Sequence, residues 1–230
     1  ALMMLQDGMG GNGSRTVLAQ FMPGQKKMLV TQEQISKTGV LFGRGFSKEE
    51  PSWMQQLDWR DDSHGSFNPM EESRRNFIET PAFRSGEWFS SRAIQAQMIQ
   101  ASRPSRSVIE LHASSDPNGA PGVLSSIETP LAKVFIKDES GRFWMAEDVG
   151  TGEKKALKAA TPEEFKLWFD ELLEKNAGPV IAASAMKLRE QSGYAFAEGQ
   201  IASKVAVKSL PAIQWNQERV IIAGPYVKQP

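Results

Sequence analysis

The chain has 230 residues, 40% of them hydrophobic and 23% charged, with 27 basic residues balanced by 27 acidic ones and no cysteine. A formal charge of zero gives no global field that would draw the chain to nucleic acid or anionic lipid. The missing thiols exclude disulfides, thiolate nucleophiles and zinc–thiolate or iron–sulfur centres, and two imidazoles, His64 and His112, are too few for a multi-histidine metal site.

The chain starts with Ala1-Leu2-Met3-Met4-Leu5, an apolar run followed by the glycine-rich stretch Gly8 to Gly13. It reads equally as the stub of an upstream anchor or signal segment with a linker, or as a chain trimmed before a small alanine. The anchor reading favours a membrane-associated or extracytoplasmic setting. No run reaches the roughly 18–20 consecutive apolar residues of a spanning helix.

Strands are expected at Thr16–Phe21 and Lys27–Gln32, helices near Met70–Glu79 and Gly86–Ala101, and a strand at Val108–His112, whose apolar and polar residues alternate. Phe42–Pro69 shows no period and is expected to be an irregular packed loop. Ser114-Ser115-Asp116-Pro117-Asn118-Gly119-Ala120-Pro121-Gly122 carries the residues of turns and marks a boundary.

Beyond it, Lys133–Lys137 and Arg142–Ala146 flank Asp138-Glu139-Ser140-Gly141 as a hairpin, with a third strand over Lys154–Lys158. Thr161-Pro162-Glu163-Glu164 has the capping-box form, and Phe165, Trp168, Phe169, Leu172 and Leu173 lie on one helical stripe. A second helix is expected from Pro179 to Ser192, then strands at Lys204–Lys208 and Arg219–Ala223.

The expected fold is therefore α+β: a C-terminal antiparallel sheet covered by two helices, after a less regular N-terminal α/β part. The divisions are residues 1–15 as linker or anchor stub, 16–113, a loop over 114–130, and 131–230. The cation in use changes between the halves, from nine arginines and four lysines in residues 1–130 to three arginines and eleven lysines in 131–230.

No motif of catalytic specificity is present. Gly39-Val40-Leu41-Phe42-Gly43-Arg44-Gly45 lacks the lysine and hydroxyl of a phosphate loop. Ser184-x-x-Lys187 lies within the predicted second C-terminal helix. Glu163, Glu164, Glu71 and Glu72 suit the first turns of helices, and His112 suits a partly exposed strand face. The densest polar cluster, Asp58-Trp59-Arg60-Asp61-Asp62-Ser63-His64, lacks the spacing of a cation-binding loop and reads mainly as a solvated acidic turn. In a second reading Asp58, Asp61 or Asp62 would serve a carboxylate-dependent hydrolase or lyase as base or cation ligand, with His64 as acid.

The stronger signal is compositional. Residues 44–106 hold eight arginines, three tryptophans and five phenylalanines, and Trp and Arg are enriched at interface hot spots. Nine acids cancel the nine bases of this window, so stacking on nucleic acid is not expected. The alternative is that the aromatics fill a core and the arginines snorkel around it. The chain is thus expected to be a non-enzymatic binding or structural subunit of a larger assembly, without metal or cofactor. Other protein subunits are its expected partners, met through Trp53, Trp59, Arg60, Arg74, Arg75 and Trp88. A small-ligand module, with a pocket between the sheet and the C-terminal helices, is a third option.

Overall fold

The computed structural model describes residues 8–41, 45–60, 66–69, 77–114, 119–174 and 177–229, with the backbone only for 58–60 and 66–69. The protein is mostly β, which corrects the α+β expectation: among the described residues strand makes up 53% and helix 15%. The chain runs through β1 (Gly11–Met22), β2 (Lys27–Thr38), β3 (Phe46–Ser47), β4 (Ser52–Arg60), β5 (Ser66–Pro69), β6 (Phe77–Glu79), β7 (Phe83–Gly86), β8 (Ile94–Pro104), β9 (Ile109–His112) and β10 (Gly122–Ser125). There follow β11 (Leu131–Lys137), β12 (Phe143–Val149), β13 (Lys154–Ala156), β14 (Lys158–Ala160), α1 (Pro162–Glu174), α2 (Pro179–Arg189), β15 (Tyr194–Gly199), β16 (Ile213–Pro225) and β17 (Val227–Gln229).

A ten-stranded sheet in the order β14-β12-β11-β15-β16-β1-β2-β8-β4-β5 joins strands from both sides of the turn-rich stretch at 114–130. Its middle is a parallel pair: β1 runs beside β16 from Gly11 opposite Ile213 to Gln20 opposite Ala223. Side chains alternate between two cores, as the period of two dictates. Val17, Ala19, Val134, Ile136, Ala195, Ala197, Val220 and Ile222 face the larger one, while Leu18, Phe135, Phe196, Ile221 and Ala223 face α1 and α2. The larger core is closed by the four-stranded sheet β13-β10-β9-β17 and by irregular segments around 86–93 and 200–212.

Local signals produced what they promised at α1. Thr161 Oγ1 accepts from Glu164 N at 3.1 Å, and Glu164 Oε2 accepts from Thr161 N at 2.7 Å, closing the capping box. Phe165, Phe169, Leu172 and Leu173 are buried. Beneath the helices Phe165, Phe169 and Phe196 pack with ring centroids 5.3–5.6 Å apart.

The N-terminal expectations need correction. Residues 77–79 and 94–104 are strands rather than helices, and 87–93 is turn and loop. The unassigned stretch holds β3, β4 and β5, Gly11–Gly13 belong to β1 rather than to a linker, and the expected strand at 204–208 is instead the end of a 3-10 turn (Ala202–Lys204) and an irregular segment in which Val205, Ala206 and Val207 are buried. The expected third strand of the C-terminal meander divides at Leu157 between two sheets, β13 pairing with β10 and β14 with β12.

The misassignment of β8 has a physical cause. Ile94-Gln-Ala-Gln-Met-Ile-Gln-Ala is rich in good helix formers, and its glutamines look solvated. Gln97 is instead wholly buried and belongs to a ladder of side-chain amides across three strands. Gln32 Nε2 donates to Gln34 Oε1 (2.8 Å), Gln34 Nε2 to Gln97 Oε1 (3.1 Å), and Gln97 Nε2 to Gln56 Oε1 (3.3 Å). The ladder is anchored at one end by Val207, whose N donates to Gln32 Oε1 at 2.9 Å, and at the other by the Trp88 carbonyl, which accepts from Gln56 and Gln97. Tertiary hydrogen bonding has overridden propensity.

A single carboxylate ties α2 to the sheet. Helix α2 has glycine, Gly178, at its N-cap and no side-chain cap of its own. Glu33 of β2 supplies one, accepting from Val180 N and Ile181 N at 3.1 Å each. A Cβ at Gly178 would lie 2.7 Å from that carboxyl group, so only glycine lets the helix come this close. Glu33 is 3% exposed. Burial pushes its carboxyl above the usual range, and the backbone donors of Ile181, Val180 and Gly178 offset this only in part.

Replacing Glu33 with Ala should leave buried amides unpaired and lower stability by about 2–4 kcal/mol in urea denaturation. Because the folded pKa is raised, the stability that this group contributes is complete below its unfolded pKa and is lost as pH rises through the folded one. Measured against the non-titrating Glu33→Gln variant, the parent should therefore lose relative stability as pH rises from below the unfolded carboxyl pKa through the raised folded one.

Candidate functional site

Within residues 44–106, β3, β7 and β6 form a separate three-stranded sheet in that order, standing over β4 on the side of the larger core. Its hairpin is closed by a turn in which Thr80 N donates to Phe83 O at 2.8 Å and Phe83 N donates to Thr80 Oγ1 at 3.0 Å. Register places Glu79 opposite Arg84 and Phe77 opposite Gly86, so these residues share the inner face. Ile78 and Phe83 lie on the outer face, 49% and 42% exposed.

Arg84 locks the inner face in place. It is 1% exposed, and its guanidinium donates to Ser52 O, to Ser52 Oγ at 3.1 Å and to Glu79 Oε1 at 2.9 Å. Lys48 pairs with the same Glu79 oxygen. Burial pushes the Glu79 carboxyl up, but Lys48 and Arg84 together outweigh it and hold the group below the usual carboxylate range. Trp88 lies beneath, with Phe77 packed on it at 4.6 Å, Arg84 over its ring at 5.7 Å and its indole N–H donating to Ile78 O at 3.4 Å. The carbonyl of the same residue ends the amide ladder, so Trp88 links the small sheet to the large one.

The outer face is correspondingly firm. A Cβ at Gly45 would lie 2.4 Å from the Phe83 ring, which therefore rests directly on the glycine backbone. Among the described residues no strand lies on the outer side of β6, which leaves an apolar face bordered by a strand edge.

Of the sequence-derived interface residues, neither Trp88 nor Trp53 lies on this face. Trp88 is 6% exposed and supports the small sheet from within. Trp53 is 50% exposed, but it alternates with Ser52 and Gln56 along β4 and so projects from the opposite face of the large sheet. Trp59 and Arg60 end β4 opposite Phe67 and Ser66, and their side chains lie outside the described residues, as does the side chain of Asp58. Arg74, Arg75, Asp61, Asp62 and His64 also lie outside the described residues. Arg103 of the same window has a structural role, bridging Glu50 at 2.8 Å and Val205 O at 3.0 Å. His112 sits 3.1 Å from Glu110 on the same strand.

Ile78 and Phe83 were missed although a signal existed. Thr80-Pro81 between two apolar pairs is a turn dipeptide and marks a hairpin rather than the end of a helix. Among the described residues no helix is long and apolar enough to cross a membrane, and no group of three or more acidic or histidine side chains is placed to hold a metal ion.

Replacing Arg84 with Ala should cost about 3 kcal/mol, since Glu79 and Ser52 lose a buried partner together. Glu79→Gln, at a partly exposed site, should cost less than about 1 kcal/mol. The lowered folded pKa makes the Glu79 contribution present above the unfolded pKa and lost as pH falls through the folded one. The cost of Glu79→Gln in urea denaturation should therefore vanish on acidification.

No protein family matches the chain, and no curated protein or solved structure matches it.

Proposed function

We propose that the chain is a protein-binding or structural subunit of a larger assembly that meets a partner protein through its N-terminal part, with Ile78 and Phe83 at the centre of the contact. One observation carries this: a small sheet braced from below by Arg84 and Trp88 presents two large apolar side chains to solvent beside a strand edge that is unpaired among the described residues. Exposed apolar residues on a rigid support lose little entropy when covered, and a sheet edge offers main-chain hydrogen bonds to an incoming strand. Trp59, Arg60, Arg74 and Arg75 enter the proposal from sequence as flanking contacts, Trp88 as the support, and Trp53 as a separate contact on the far face.

The test is native co-purification of the parent and of an Ile78→Glu, Phe83→Glu double variant, with melting curves of both. The parent should retain a stoichiometric protein partner that the variant loses, while the melting temperature stays within about 3 °C because both sites are exposed. A partner held equally by parent and variant would refute the assignment to this face. Trp53→Ala, assayed in parallel, reports on the opposite face.

A further inference from the structure

The buried amide ladder has a direction. Val207 N donates to Gln32 Oε1 at 2.9 Å, Gln32 Nε2 to Gln34 Oε1 at 2.8 Å, and Gln34 Nε2 to Gln97 Oε1 at 3.1 Å. Gln97 Nε2 then donates to Gln56 Oε1 at 3.3 Å, and Gln56 Nε2 to Trp88 O at 2.5 Å. Every amide accepts from one side and donates to the other, so the row runs from a main-chain donor to a main-chain acceptor. Gln32, Gln34 and Gln97 are at most 1% exposed and Gln56 6%, so bulk water does not replace a lost partner.

The two ends of the row belong to different covering segments. Val207 lies in the irregular stretch 205–209, and Trp88 supports the small sheet of β3, β7 and β6. Withdrawing the Val207 N–H leaves Gln32 Oε1 without that donor, and withdrawing the Trp88 carbonyl takes that acceptor from Gln56. Rotating an amide by half a turn does not repair the loss, because it sets N–H against N–H or oxygen against oxygen at the next glutamine. The orientation of each amide is therefore fixed by both ends together. At the surface Lys208 also pairs with Glu49, but the two side chains are 69% and 59% exposed and the pair adds little. The buried row is the stronger link.

We infer that the small sheet and the stretch 205–209 open and close as one unit, coupled through the amide row. The face formed by Ile78 and Phe83 then keeps its shape only while Val207 is seated on Gln32, and a disturbance at either segment is felt at the other. Such a unit lies between local fraying and global unfolding, since its opening leaves the ladder of β1 and β16 intact. The coupling is a property of the chain itself and does not depend on a partner at the small sheet.

Native-state hydrogen exchange of the full chain, in urea below the unfolding transition, tests this. The hydrogen-bonded amides of Lys48 and Thr80 report on the small sheet, and those of Ala206 and Val207 on the other stretch. In the parent all four should converge on one opening free energy and one urea dependence, both below those of the β1 and β16 amides. Gln34→Met keeps the side-chain length and lacks the amide, and Gln56→Met is a second cut through the same row. In either variant the two pairs of amides should part, differing about tenfold or more in exchange rate at the same urea concentration. Lys208→Ala should leave them together. Pairs that already differ in the parent, or that merge only with β1 and β16 in global unfolding, overturn the proposal. So do pairs that still move together after the row is cut, because the link would then lie elsewhere.

Discussion

The parallel ladder between β1 and β16 holds the molecule together. It joins the first strand to the last long one in the middle of a ten-stranded sheet, and without it β2, β8, β4 and β5 would form one open sheet and β15, β11, β12 and β14 another. Both faces of the pair are covered, and Val220-Ile221-Ile222-Ala223 is accordingly apolar at every position. Closing the contact requires the two ends of the chain to meet, so its loop-closure cost is high and the sheet forms as a unit.

Two polar devices attach the covering layers to this sheet. On one face Glu33 takes the place of a missing helix cap and brings α2 down across the centre, where Ile181 joins the core under α1 and Val180 packs with Leu57, Ala96 and Met98. On the other, the glutamine ladder fastens the segments at 205–209 and 86–90 to a stretch of sheet that apolar packing leaves unclaimed. Side-chain amides suit that task because each both donates and accepts, so a row of them satisfies itself internally. The small sheet depends on the same row through Trp88, so a surface feature rests on buried hydrogen bonds several strands away.

What could be read from the sequence divides along this line between local and distant chemistry. The Asp138 turn between β11 and β12, in which Asp138 Oδ1 accepts from Ser140 N and Arg142 N at 2.9 Å each, and the Thr161 capping box are completed within a few residues, and both were visible. Gln97 of β8 finds its amide partners 41 and 63 residues away, and a window of sequence carries no trace of that distance. The Arg- and Trp-rich composition of 44–106 suggests a docking surface, yet composition does not separate inward from outward. Arg84 and Trp88 turned out to be the supports, while Ile78 and Phe83, read as part of a helix or not singled out at all, form the exposed surface.

The direction of the central strands also fixes how the protein meets tension. Because β1 and β16 are parallel, residue 11 and residue 223 lie at opposite ends of a ladder about 30 Å long. A pull between these two residues drags the two strands past each other along their length. The ladder bonds, from Gly11 beside Ile213 to Gln20 beside Ala223, then resist together in shear instead of opening one at a time like a zipper. A chain held at both ends would yield late and abruptly. One pulled across the β1–β2 hairpin would unravel bond by bond.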